Sequence, residues 1–271
     1  MIDVNDHDST RKPNSLMGFG TGAGVGALGG LIGLGGAEFR LPLLIGLFRF
    51  GPLEAVVLNK ALSLVVVTSA LLFRTRIIPV AIVADHWTIV ANLLAGSLAG
   101  AWLGAGWATK LRSHTLYRVI AAMLVGIALV LLLAHDTKSV GHPIVTGWIQ
   151  MGAGVVAGFG IGVVAALLGV AGGELLIPTL VLVFGLDIKI AGSLSLAVSL
   201  PTMIVGFTRY GRDSSFAVIG RYGRFVVVMA MGSIVGAFIG GMLLGIIPST
   251  VLLPALSSIL LISAVKVWRH N

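Results

Sequence analysis

Cysteine is absent from the 271-residue chain, and charged residues make up only 10% of it. The first absence excludes disulfides, iron–sulfur clusters and cysteine-ligated zinc. The second excludes an ordinary soluble domain, in which about a quarter of residues are charged. Catalytic signatures are missing too. There is no Gly-x-Ser-x-Gly, no His-Glu-x-x-His, no paired-aspartate motif and no ATP-binding loop. The expectation is therefore no enzyme, no catalytic residue, no metal and no cofactor. Any energy the protein uses comes from ion gradients or a partner.

What is present is apolar sequence. Hydrophobic residues are 57% of the chain, and mean hydropathy is +1.05. Runs without Asp, Glu, Lys or Arg cover Pro13–Ala37, Trp87–Thr109, Ser139–Gly173, Ile190–Thr208 and Phe225–Val265. Each reaches the roughly 18 residues that suggest a spanning helix. The last is long enough for two, broken at Gly245–Pro248. The alternating pattern of a membrane β-barrel is absent, so helices are favoured. The chain holds 38 glycines, and glycine lets membrane helices approach closely. The lipid bilayer is thus the first partner. The net charge of +8 reads as cytoplasmic-loop charge, not a nucleic-acid surface. Residues 1–14 form a polar tail of mixed charge, which is not a signal-peptide pattern.

The chain reads as a duplication. "GLGGAEFRLP" (Gly33–Pro42) and "GVAGGELLIP" (Gly169–Pro178) align at an offset of 136 residues. That offset also maps Gly18, Gly22 and Gly26 onto Gly154, Gly158 and Gly162. It maps Phe48 onto Phe184, Ser63 onto Ser199, Arg76 onto Arg212, and Gly96, Gly100 and Gly104 onto Gly232, Gly236 and Gly240. The repeats are placed at 15–134 and 147–271, joined by a linker at 135–146. Expected segments are 15–34, 38–49, 53–74, 87–110 and 114–134, then 147–170, 174–185, 188–209, 222–245 and 249–268. The literal dinucleotide fingerprint "GVGALG" (Gly24–Gly29) follows no strand and is discounted.

The expected architecture is an all-α polytopic membrane protein of two inverted repeats. Each has about five segments, three to four full helices plus a half-helix. Loop charge supports inversion. With both termini cytoplasmic and five crossings per half, about 13 basic residues fall inside and about 4 outside. The inside set includes Arg49, Lys60, Lys110, Arg112 and Arg118. The expected location is the cell (inner) membrane.

Proline at 42 and 178 places the start of each short helix near Glu38–Arg40 and its counterpart, because proline is tolerated in a first turn. The glycines before it then form a breach with unpaired N–H groups, allowed only inside protein or beside a cavity. A helix start suits an anion, and discontinuous helices in inverted repeats mark transporter sites. The candidate substrate-binding residues are Gly35, Gly36, Glu38, Arg40, Asn59 and Ser63, with Gly172, Gly173, Glu174, Ser195 and Ser199. For the glutamates the alternatives are proton carriage and helix capping. Arg40 could ligate an anion or snorkel to an interface, and Lys60 reads as a charge at a helix end. The serines and Asn59 could serve the anion or bond between helices.

The two glycine–glutamate–proline stretches, each followed by an apolar run and a serine-bearing helix, resemble the duplicated motif of the TauE/SafE sulfite exporter family. The resemblance spans both halves. It implies a membrane transporter of sulfur-containing anions such as sulfite, sulfoacetate or related sulfonates. The family tends to have three successive glycines; here Ala37 replaces the last in one repeat and Ala171 the first in the other. A passive anion channel is the competing function, with an intramembrane enzyme the more distant alternative. Protons are the candidate coupling ion, and a homodimer stays open.

Overall fold

The computed structural model describes residues 14–32, 36–74, 80–133, 145–186, 188–243 and the three positions 258, 261 and 265. Gly35 and nearly all of the expected helix 249–268 lie outside the described residues. No strand occurs among those described.

The first half contains α1 (Ser15–Ile32), α2 (Ala37–Gly46), α3 (Pro52–Arg74), α4 (Val80–Asp85), α5 (Trp87–Ala108) and α6 (Ser113–Leu133). The second contains α7 (Gly147–Leu168), α8 (Gly173–Phe184), α9 (Ile188–Tyr210), α10 (Ala217–Arg221) and α11 (Gly223–Leu243). Five of these are long and apolar enough to cross a membrane by length and composition: α3, α5, α7, α9 and α11. The short α4 and α10 were not anticipated. Each is about a turn or a turn and a half, too short for a periodic signal, yet they are equivalent at the same offset of 136 residues.

Packing follows the duplication contact by contact. A side-chain Cβ at Gly22 would strike the backbone carbonyl of Met229, and one at Gly26 that of Ser233. At the equivalent positions, Gly158 meets the carbonyl of Leu93 and Gly162 that of Ser97. In the other direction, Gly236 lies on Ala23 and Gly240 on Ala27, while Gly100 lies on Phe159 and Gly104 on Val163. So α1 packs on α11 as α7 packs on α5. In each pair the glycines remove the side-chain layer and bring two backbones together, as close helix pairs in lipid require. Each tight pair joins one helix from each half, so neither half forms its own bundle.

The half-helices fold back. Gln150 Nε2 at the start of α7 donates to Val183 O at the end of α8, 2.8 Å away. Gly172, just before α8, lies against Ile161 and Ala165 farther along α7. In the first half, Phe48 and Phe50 after α2 pack on Phe225, whose ring also covers Gly18 at the start of α1. Each half-helix thus runs antiparallel to the helix before it. α9 runs parallel to α5, with Thr202 on Ser97 and Arg209 on Gly106, and antiparallel to α3, with Gly206 on Lys60 and Leu196 near Val67, so α1, α2, α3 and α5 alternate in direction. Since α7 runs parallel to α5, with Gly96 on Val155 and Gly100 on Phe159, α7 opposes α1. The repeats are inverted.

Candidate functional site

Each half-helix begins at a glycine in the left-handed region: Gly36 at φ 67° before α2 and Gly172 at φ 80° before α8. Side chains with a Cβ disfavour that region. This explains where the duplicated motif keeps its glycines. Position 36 pairs with 172 and both are glycine. Position 37 pairs with 173, the first helical residue, where Ala37 fits. Position 171 needs no positive φ, so Ala171 fits. Of the four glycines proposed from sequence, Gly36 and Gly172 are shaped by the backbone, Gly173 opens α8, and Gly35 lies outside the described residues.

The helix starts differ from the expectation. α2 begins at Ala37 and α8 at Gly173, so Pro42 and Pro178 sit in the second turn, inside each helix. Proline has no N–H to offer the carbonyl four residues earlier. The carbonyls of Glu38 and Glu174 are therefore released from the helix ladder. Proline does not mark the start of either half-helix; it loosens the turn that carries the glutamate.

The two starts converge. Glu38 and Glu174 are 2% and 3% exposed, and their carboxyl groups lie within interaction range of each other. Among the described residues, Glu38 Oε1 and both carboxyl oxygens of Glu174 have no hydrogen-bond partner. Neither half-helix has a side-chain N-cap. Two carboxyl groups facing one another need a proton or a compensating charge between them.

Arg40 is fully buried, which rules out snorkelling. It lies within electrostatic range of Glu38, and its Nη1 donates to Ser63 Oγ at 3.3 Å. Lys60 is fully buried as well. It is not a loop-end charge: its Nζ donates to Ala165 O at 3.0 Å. A charge at bilayer centre costs about 2.5–3.5 kcal/mol on insertion scales, so both cations need the partners they have.

Those partners reveal a clasp. α7 ends at Gly169 in the left-handed region, with Val170 N–H returning to Ala165 O. Side chains from elsewhere also bond the carbonyls of that end. Lys60 takes Ala165, Tyr210 Oη takes Ala166 at 3.0 Å, Asn59 Nδ2 takes Leu168 at 3.0 Å, and Ser63 Oγ takes Gly169 at 3.4 Å. Asn59 Nδ2 also donates to Ala37 O at 3.0 Å, at the first residue of α2. One amide thus ties both breaches together. A cation at a helix C-terminus is favourable, and saturating these carbonyls is what a buried helix end demands.

The structure brings Glu38, Arg40, Asn59 and Ser63 together with Glu174 around the two breaches. Ser195 donates to Gly192 O within α9 at 2.9 Å, and Ser199 is buried on the same helix. Sequence reasoning missed Lys60 and Tyr210 as parts of this region. The signal for Lys60 was its place inside an apolar run; Tyr210 gave none.

Residues 18–267 match the family described as Sulfite exporter TauE/SafE. No curated protein and no solved structure matches the chain. An all-helical inverted duplication with two converging half-helices lies inside the matched region, and the chain belongs to the sulfite exporter TauE/SafE family.

Proposed function

We propose that the chain is a secondary transporter of a small sulfur-containing or organic anion, such as sulfite, sulfoacetate or a similar sulfonate. The anion is held at mid-membrane between the starts of α2 and α8. The observation that carries this reading is that the two breaches, each opening a half-helix at a left-handed glycine, are tied to one another through Asn59 and bring Glu38 and Glu174 within interaction range. Backbone N–H groups and the dipole of each half-helix favour negative charge there. Arg40 and Ser63 add donors from the first half, and Ser195 and Ser199 stand on the equivalent helix of the second. The ionised glutamates keep negative charge in the first turns of both half-helices, and protonation within the pair removes part of it and lets the anion in. Protons are accordingly the coupling ion.

A channel would use the same donors but would not accumulate anion. The inverted, fold-back geometry is that of carriers with alternating access around a central site, so the carrier reading is preferred. The basic-residue asymmetry supports a cytoplasmic side for both termini in the cell membrane.

The test is a thermal-stabilisation screen of the purified chain against sulfite, thiosulfate, sulfoacetate, sulfate and carboxylates. A ligand selective for the folded state raises apparent stability. The expected outcome is stabilisation by a sulfur oxyanion or sulfonate, lost in Gly36→Ala and Gly172→Ala. Alanine adds the smallest side chain, and because any Cβ is strained at φ 67° and 80°, the ligand-induced shift is read against each variant's own ligand-free melting temperature. Stabilisation by carboxylates alone, or glycine variants with unchanged affinity, would overturn the site.

A further inference from the structure

The buried charges of the site set a stoichiometry. This inference rests on the anion-carrier reading above and concerns how its charge is balanced. Four ionisable side chains lie at the paired breaches: Glu38, Glu174, Arg40 and Lys60, none more than 3% exposed. Each half supplies one carboxyl group. Both cations come from the first half, because the positions equivalent to Arg40 and Lys60 are Leu176 and Leu196. Arg40 lies within electrostatic range of Glu38 and bonds Ser63 beside it. Lys60 is fixed on the other breach through Ala165. With both carboxyl groups ionised, the formal charge of the region is zero.

The surrounding helices add little to that balance. α1 and α7, which flank the half-helices, contain no ionisable residue. α3 carries Glu54 and Arg74 near its two ends, and α9 carries Lys189 in its first turn and Arg209 and Tyr210 in its last. α6 has His114, Tyr117 and Arg118 in its first two turns, and Arg224 opens α11. The hydroxyl of Tyr210 is already engaged with Ala166 O. Inside the apolar zone the four named groups dominate the field, and uncompensated charge there is strongly unfavourable.

We propose that the protein is an electroneutral anion–proton symporter in which the Glu38–Glu174 pair takes up one proton for each negative charge on the anion. An arriving monoanion would leave the region at minus one. A proton from the water on the accessible side converts one carboxylate of the pair to a carboxylic acid and restores zero. It leaves with the anion on the other side. The facing geometry supplies the proton's site: a carboxylic acid in the pair gives the other carboxyl group the hydrogen-bond donor it lacks among the described residues. The empty and the loaded carrier then have the same charge, and membrane voltage does no work on either.

The experiment uses the full chain in liposomes whose voltage is clamped with potassium and valinomycin. An internal pH dye reports proton movement. The probes are methanesulfonate, whose charge is fixed at minus one, and sulfite. The expected result is uptake that a pH gradient drives, with about one proton entering per methanesulfonate and with a rate unchanged by voltage on whichever probe moves. In Glu174→Gln the region begins one positive charge in excess. Anion then enters without a proton, and uptake becomes voltage-driven. If that variant does not fold, the wild-type stoichiometry still decides. Voltage-driven uptake without proton entry in the wild type overturns this inference and leaves the carrier reading standing. Movement of neither probe overturns the carrier reading itself.

Discussion

Glu38 and Glu174, 136 residues apart in sequence, are both buried and lie within interaction range of each other, from the first turns of two half-helices that belong to opposite repeats. Inversion makes this possible. A direct repeat would set the two elements side by side, pointing the same way.

The first prediction concerns pH. On the proposed site, ionised glutamates in the first turns of both half-helices repel an anion at those helix starts, so protonation should favour it and binding should strengthen as pH falls. In Glu38→Gln and Glu174→Gln part of that dependence disappears, and in the double variant it vanishes. Sulfite affinity measured by thermal stabilisation across a pH series checks this. A double variant with the wild-type pH slope returns both residues to helix capping.

Asn59 separates structure from binding. Asn59→Leu removes the donor shared by Ala37 O and Leu168 O. Leu168 O at the end of α7 then loses its side-chain donor, at a cost on the order of 1–3 kcal/mol, while Ala37 O keeps its partner within α2, so a clear fall in melting temperature is expected without ligand present. Ser63→Ala breaks weaker contacts of 3.3 and 3.4 Å and should cost on the order of 1 kcal/mol. Equal and negligible effects would show that the clasp at the end of α7 contributes nothing.

Glycines with nearly identical sequence surroundings should respond in opposite ways. Gly158→Ala and Gly22→Ala place a Cβ against the backbone of Leu93 and Met229, forcing the helices apart at about 1–3 kcal/mol. Gly24→Ala and Gly160→Ala meet nothing within 4 Å and should be neutral or stabilising by up to about 1 kcal/mol, since alanine is the better helix former. Melting temperatures of the four variants in detergent are the measurement. Similar values for all four would refute the close packing of α1 on α11 and α5 on α7.

Topology can be read chemically because the chain has no cysteine. Ala84, at the end of α4, and Ser113, opening α6, are both exposed and lie at opposite ends of α5. Cysteine at Ser113 should label only from the cytoplasm, and cysteine at Ala84 only from outside. Labelling of both from one side would contradict a spanning α5. The reversed pattern would turn the protein over.

Much of this protein follows from the order of its residues. Charge-free runs give the membrane helices, because lipid admits few other segments. The common offset gives the duplication, and the glycine–glutamate–proline stretches give the two breaches. The limits of sequence show at particular residues. Pro42 and Pro178 suggest a first turn, but the left-handed glycines start each helix earlier and leave the prolines inside it. Lys60 resembles a loop charge because a one-dimensional reading cannot see the carbonyl end of α7, more than 100 residues away, that holds it. Tyr210 completes the same end with no local signal at all. Sequence determines which backbone groups a broken helix leaves unpaired. Only the tertiary fold decides which distant side chains satisfy them, and which two carboxyl groups are left facing each other, because those pairings depend on how inverted halves close on one another.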